Sequence, residues 1–210
     1  MTLRRTLAGL RRDASGLAFV EFAFAAPILV LLILGGAELT NLAVAHLRVS
    51  QIAMTVADDA GRVTTGIDEA DIDEVFAGAS LIGRSIGFDG NGRIVLSSLE
   101  DNGGTGANRG QTIRWQRCWG DLEIDPAYGD EGDGAADDSL ADGLGAEGNR
   151  IAASVSTAVM FVEATYDYQP IVGSALFTPP TIRYESAFNV RGRQNNAITN
   201  IQSRDVNDCD

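Results

Sequence analysis

The chain has 210 residues and a net charge of −13, with 21% charged and 45% hydrophobic residues, which is an ordinary balance for a globular protein. Residues 1–16 hold four arginines and one aspartate and carry +3, so residues 17–210 carry −16. That acidity argues against nucleic acid as a partner, and against docking on anionic lipid through a soluble part. The chain has no lysine and one histidine, His46, which excludes lysine-based chemistry and sites built from several histidines.

The stretch Arg11–Ala37 contains an apolar block that carries one acid. Within it, Leu17–Ala37 is 21 residues long and has Glu21 as its only charged residue. About 20 helical residues cross a bilayer core of roughly 30 Å, so this segment is long enough to span a membrane. The arginines precede the block, which predicts a cytoplasmic amino terminus with the rest of the chain on the far side.

Residues 1–16 have the composition of a targeting leader rather than of folded structure. The arginine pairs are not followed by the context of a twin-arginine signal. A secretory signal peptide cut after Ala37 is an alternative, although the apolar run exceeds the usual signal core and contains Glu21.

Glu21 is unusual because a carboxylate inside an apolar span costs on the order of 2–3 kcal/mol. One interpretation places Glu21 near the interface, where its side chain reaches water. The other starts from Gly16: a cut after it would make Leu17 a new amino terminus with a charge of about +1. Glu21 would then be the fifth residue and could pair with such an amino group on a neighbouring subunit, since a buried charge is tolerated when paired.

The arrangement of Gly16, Leu17 and Glu21 resembles the type IV pilin and pseudopilin signal. The wider string Gly16–Leu39, with its Val-Glu-Phe core, a proline at Pro27 and a leucine-rich run, is similar to the TadE/TadG-like minor pseudopilins of the tight-adherence (Flp) pilus system. The resemblance extends over about residues 11–62.

This resemblance implies cleavage after Gly16 by a prepilin peptidase, and subunit pairing through Glu21 and Phe22. The implied partners are membrane lipid, other pilins or pseudopilins, and the pilus assembly platform. The implied location is the bacterial inner membrane, in a single pass with a periplasmic domain and possible entry into a surface pilus. The alternative is an uncleaved, signal-anchored extracytoplasmic domain for binding or adhesion.

Residues 38–62 continue the helix, which we expect to run from Leu17 to Ala60 and to be about 66 Å long. Pro27 is a candidate kink site. A stripe of apolar residues recurs at steps of three and four, and it packs either on the chain's own domain or on a partner. Its members are Leu42, Ala45, Val49, Ile52 and Val56.

Residues 63–210 are predicted to form an extracytoplasmic α+β domain with an antiparallel sheet, which is also what a pilin-like resemblance implies. Asp68–Leu81 has acids in its first turn and an apolar face, as is typical of a short helix. A turn at residues 88–92 precedes the first strand. The predicted strands are Arg93–Leu99, Thr112–Trp119, Val155–Tyr168 and Thr181–Arg191. Within the second strand, alternation places Ile113, Trp115 and Arg117 on one face.

Asp125–Asn149 is a glycine- and aspartate-rich segment with few large apolar residues, so we expect a mobile acidic loop at about residues 125–149 that contributes no core. Calcium binding by its carboxylates is an alternative, but their spacing does not match an EF-hand. We therefore expect no metal and no cofactor.

Cys118 and Cys209 are the only cysteines. In an oxidising compartment they could form one disulfide that ties the tail to the domain, worth about 4 kcal/mol at most for so long a loop. The other possibility is two free thiols.

An enzyme is not expected from this sequence. The single histidine, His46, lies close to the predicted membrane segment, and Cys118 has no basic partner in view.

Overall fold

The computed structural model describes residues 15–173, 178–193 and 195–209. The predicted leader lies outside the described residues except for its last two positions, and so do Gln194 and Asp210 of the tail. In chain order the elements are α1 (Ser15–Arg62), β1 (Ile67–Asp68), α2 (Glu69–Gly83), α3 (Phe88–Asn91), β2 (Gly92–Asp101), β3 (Gln111–Trp119), β4 (Ala158–Asp167), β5 (Thr181–Asn189) and β6 (Ile198–Thr199).

Helix α1 is continuous for 48 residues with Pro27 inside it, which confirms the long helix predicted for Leu17–Ala60. Its second half packs on β4, β5 and α2. The predicted stripe is the packed face: Ala45, Val49, Ile52 and Val56 are buried, and Leu42 is partly buried. Of the two possibilities left open for the stripe, packing on the chain's own domain is the one found.

Helix α2 begins at a capping box. The Asp68 carboxylate accepts a hydrogen bond from the Ala70 N–H at 3.2 Å, while the Asp71 carboxylate accepts one from the Asp68 N–H at 2.9 Å. Such a cap contributes about 1 kcal/mol. The predicted core face is confirmed, because Ile72, Val75, Phe76 and Ala79 are all buried.

The turn predicted at residues 88–92 is one turn of helix, α3, whose first residue is fully buried. Phe88 stacks on Trp119 and Tyr166. Gly83 and Gly92 flank its ring so closely that a Cβ at either position would lie 2.5–2.6 Å from Phe88 atoms. Glycine at these two positions is therefore what lets the aromatic ring enter the core.

The four long strands form one antiparallel sheet in the order β3-β2-β4-β5, which confirms the predicted α+β class. Helices α1 and α2 cover one face and pack on the apolar residues of β2 and β4. All four predicted strands are present, with ends displaced by at most three residues.

The predicted face of strand β3 is wrong at one position. Ser98 of β2 pairs with Trp115, and the next residue, Leu99, pairs with Ile113, so Arg114 is a β-bulge without a partner. The extra residue moves Ile113 to the opposite face of the sheet from Trp115. Trp115 and Arg117 do share the helix-covered face, as predicted.

The acidic segment covers the other face of the sheet. Leu140 and Leu144 are buried against Leu99 and Phe161, so the expectation that the segment at 125–149 contributes no core is wrong. Two leucines suffice because the sheet supplies the remaining apolar surface. The mobility of the acidic segment stays a prediction.

The carboxyl-terminal tail contains a strand that the sequence analysis missed. Strand β6 pairs in parallel with β1, with Ile67 opposite Ile198. A two-residue strand is too short to produce a periodic pattern, so only the fold reveals it.

Candidate functional site: the first half of the long helix and its junction with the domain

The first half of α1 projects away from the domain. From residue 16 to residue 37 every side chain except that of Ala26 is exposed, and the exposed ones include Phe19, Phe24 and Leu32. The most apolar window has a mean hydropathy of 2.6, and α1 is the one helix among the described residues that is long and apolar enough to cross a membrane. This helix is consistent with a single-pass membrane anchor.

The predicted processing residues lie in the first turn of α1. A Cβ placed on Gly16 would have no atom within 4 Å, and Leu17 is 61% exposed. The fold itself therefore makes no demand for glycine at position 16. Any requirement for a small side chain there has to come from another molecule.

Glu21 and Phe22 lie one turn further along the same exposed surface. Within the described part of the chain, Glu21 makes no side-chain hydrogen bond and no ion pair. The structure thus has the four predicted site residues on one short, exposed stretch of helix.

A group of hydrogen-bonded polar residues lies where the exposed half of α1 meets the domain. The sequence analysis did not predict this polar junction. Glu38 is 6% exposed, and its carboxylate accepts hydrogen bonds from the Tyr168 hydroxyl and, at 2.9 Å, from the Val172 N–H. Asn41 donates to the Tyr168 hydroxyl oxygen at 2.8 Å. Burial and the hydrogen bond to Glu38 raise the pKa of Tyr168 to about 12, so its hydroxyl keeps its proton and remains a donor.

One feature of Glu38 in the sequence could have indicated this junction. It is the first charged residue after the apolar block, and a carboxylate beside apolar surface needs hydrogen-bond donors. Nothing in the sequence could name the donors, because Tyr168 and Val172 lie more than 120 positions away.

One comparison with known proteins bears on this helix. Residues 16–58 match the family of TadE-like proteins. No curated protein and no solved structure matches the chain.

The match to the TadE-like family covers 43 of the 210 residues, from the predicted cleavage site to the last turn of α1. It confirms the resemblance drawn from the string Gly16–Leu39, and it supports involvement in the tight-adherence pilus system. The TadE-like segment also implies interaction with pilus components in general.

The domain beyond the TadE-like segment is closed by a disulfide between Cys118 and Cys209, whose Cα atoms are 4.9 Å apart. Of the two possibilities left open for the cysteines, the bonded one is found. Next to the disulfide, the guanidinium of Arg117 is buried and donates to both Glu69 carboxylate oxygens, at 2.7–3.1 Å. These contacts attach the tail and α2 to β3.

Two carboxylates of the acidic segment accept hydrogen bonds from the segment's own backbone. Asp133 accepts the N–H of Asp130, and Asp137 accepts the N–H of Ser139, each at 2.9 Å. Across the described ranges, no group of three or more His, Cys, Asp or Glu side chains has an arrangement that could hold a metal ion.

Another ionisable cluster lies where this segment meets the sheet. Glu163 is 2% exposed, pairs with Arg183 at 3.0 Å and accepts the Ala127 N–H. Burial raises the pKa of Glu163 to about 7, against the opposing effects of Arg183 and that N–H. Through its contact with the Ala127 N–H, Glu163 of β4 holds the segment to the sheet.

Proposed function

We propose that this protein is a minor pseudopilin that takes part in assembly of a tight-adherence (Flp, type IVb-like) pilus. It is inserted in the bacterial inner membrane with its amino terminus in the cytoplasm and its α+β domain in the periplasm. A prepilin peptidase cleaves it after Gly16. The observation that carries this proposal is that the TadE-like match begins at Gly16 and includes the whole exposed apolar part of α1.

Membrane insertion is supported by the exposure of this part of α1. Full burial of one large apolar side chain is worth about 1.5–3 kcal/mol, so a row of exposed phenylalanines and leucines would be very unfavourable in water. Lipid removes that cost. The arginines of the leader precede the helix and set the orientation.

Cleavage after Gly16 gives Glu21 its role. The cut leaves a positively charged α-amino group on Leu17, and Glu21 of a neighbouring subunit supplies the opposite charge inside the membrane. Glu21 lies on an exposed helix surface, so a neighbouring helix can reach it. The pair fixes the register in which subunits join, together with the adjacent Phe22.

The partners in this proposal are the prepilin peptidase, other pilins or pseudopilins and the pilus assembly platform. The second half of α1 is already used by the chain's own domain on one face. Subunit contacts therefore form through the first half of the helix and the exposed face of the second.

Amino-terminal sequencing of protein purified from its native membrane tests the proposal. A mature chain that begins at Leu17 supports it. A chain that still begins at Met1 contradicts it and favours the uncleaved, signal-anchored binding domain, whereas one that begins at Glu38 indicates a secretory signal peptide.

A further inference from the structure

The connection from β4 to β5 is uncharged in an otherwise acidic domain. Between Asp167 and Arg183 the sequence has fifteen residues without a charge, while residues 17–210 as a whole carry −16. The connection begins with Tyr168, Gln169 and Pro170, and two aliphatic residues follow. An uncharged stretch of this kind is free of the electrostatic penalty that the rest of the domain would meet at an anionic lipid surface.

The start of this connection lies beside the part of α1 that is predicted to cross the membrane. Val172 lines an apolar concavity of about 560 Å³ on the helix surface. The other residues of its wall are Leu31, Leu32, Leu34, Gly35, Gly36, Glu38, Leu39 and Leu42. Five of these eight residues precede the predicted end of the span at Ala37, so Val172 lies against the part of the helix that is predicted to be in the membrane.

Glu38 holds the connection at this level. Its carboxylate accepts the Val172 N–H at 2.9 Å and also the Tyr168 hydroxyl, so both ends of the segment 168–172 are attached to one residue of α1. At 1.5 Å per residue, Glu38 is about 6 Å along the helix from Leu34. The adjacent Ile171 is 66% exposed, although it is aliphatic.

We propose that Gln169–Gly173 forms a second membrane contact, in which Ile171 and Val172 lie in the outer boundary of the bilayer beside α1. The occupant of this surface is lipid, because the concavity is continuous with the helix surface that the proposed function places in lipid. The inference rests on that proposed insertion. The contact fixes the height of the domain above the membrane, since the segment is tied to Glu38.

A fluorescence measurement on the full chain tests this inference. The Ile171→Cys variant is labelled with an environment-sensitive probe and reconstituted in phosphatidylcholine nanodiscs at one copy per disc. Cys118 and Cys209 are bonded to each other and do not react. Lipids with a nitroxide near the headgroup end of the acyl chain quench a probe that lies at the bilayer boundary, and lipids with a nitroxide near the free end of the chain quench a probe deep in the span.

Two matched variants serve as references for a probe inside the membrane and for a probe in water. Phe24→Cys places the probe inside the predicted span, and Ile201→Cys places it on an isoleucine that is 84% exposed in the tail. We expect the emission of the probe at position 171 to be blue-shifted and to be mostly quenched by the lipid whose nitroxide lies near the headgroup. The probe at position 201 should keep its emission.

The outcomes separate this inference from the proposed function. If the probe at position 24 is quenched and the probe at 171 behaves like the one at 201, the second contact is wrong and insertion stands. If the probe at 24 is quenched by neither nitroxide lipid, both are wrong. Shielding of position 171 only at several copies per disc would identify a second copy as the occupant and overturn the assignment to lipid.

A second variant tests the role of Glu38. Glu38→Ala removes the acceptor of the Val172 N–H, and we expect the probe at 171 to lose its blue shift while the probe at 24 stays quenched. An unchanged probe at 171 in this variant would show that the junction does not hold the segment in place.

Discussion

The hydroxyl of Tyr168 donates a hydrogen bond to the carboxylate of Glu38 across 130 positions of the chain. This hydrogen bond joins the end of β4 to α1 at the point where the helix leaves the domain. The Asn41 side chain donates a second hydrogen bond to the same hydroxyl oxygen. The bond between Tyr168 and Glu38 adds a polar contact to the apolar packing that holds the domain on the second half of α1.

Removing this hydroxyl should loosen the junction. Tyr168→Phe leaves the Glu38 carboxylate with one donor fewer at a buried site, so we expect a loss of about 1–3 kcal/mol in the free energy of unfolding. Denaturant unfolding of the detergent-solubilised protein measures it. Tyr184→Phe is the matched control, because the Tyr184 hydroxyl lies at a part-buried site 3.2 Å from His46 Nδ1. Equal losses in the two variants would contradict a special role for the junction.

Processing should depend on the side chain at position 16. Gly16→Val should leave the precursor uncut, because a peptidase must approach the backbone closely, while the structure leaves open space around Gly16. An immunoblot that separates precursor from mature chain provides the measurement. Gly78→Val in α2, where a Cβ also meets nothing within 4 Å, should be processed normally. Mature chain from Gly16→Val at its usual level would rule out this cleavage site.

Glu21→Gln should block assembly and leave insertion intact. The change keeps the shape and removes the charge that is proposed to pair with the Leu17 amino group of a neighbour, and it lowers the cost of insertion. We expect processed protein in the membrane and a sharp loss of filaments or surface adhesion in a strain that carries only this variant. Glu74→Gln, on an exposed position of α2, should behave as wild type. Normal filaments from processed Glu21→Gln protein would leave only the interface interpretation of this residue.

Stability should fall as the pH rises through the range set by Glu163. Burial raises the pKa of Glu163 from its ordinary value of 4.5 to about 7 in the folded chain, so the folded state favours the protonated form. The stability from this group is complete below about pH 4.5 and is lost as the pH rises to about 7, an effect on the order of 2–3 kcal/mol.

Glu163→Gln removes that titration. We expect the variant to be more stable than wild type at pH 8 and about equal at pH 4.5, as measured by thermal unfolding. Glu147→Gln, at an exposed position of the same acidic segment, is the matched control and should unfold at the same temperature as wild type at both pH values. If wild type and Glu163→Gln showed the same profile, the raised pKa would be incorrect.

The disulfide should be present in protein taken from cells. Non-reducing mass spectrometry should detect the bonded peptide of Cys118 and Cys209, and Cys209→Ser should lower the free energy of unfolding by up to about 4 kcal/mol. The loss should fall short of that limit because other contacts retain the tail, such as the Cys118 N–H to Asn207 carbonyl bond at 2.8 Å. Two alkylatable thiols in freshly extracted protein would contradict the prediction.

The sequence by itself determined the features that depend on local pattern. The long helix, the short helix with acids in its first turn, the four strands and the TadE-like string Gly16–Leu39 could all be predicted, because each is encoded in consecutive residues. The apolar stripe of α1 was also predictable, since its spacing alone defines a face.

Only the tertiary structure decided the features in which distant residues meet. The bulge at Arg114 moves Ile113 to the other face, because the partner strand fixes the register and one extra residue reverses the alternation. Leu140 and Leu144 become core because a sheet face lies beneath them, which composition could not reveal. The hydrogen bond between Tyr168 and Glu38 forms only when β4 packs against α1. A carboxylate at a buried position is known to need hydrogen-bond donors, but the sequence does not show which residues supply them.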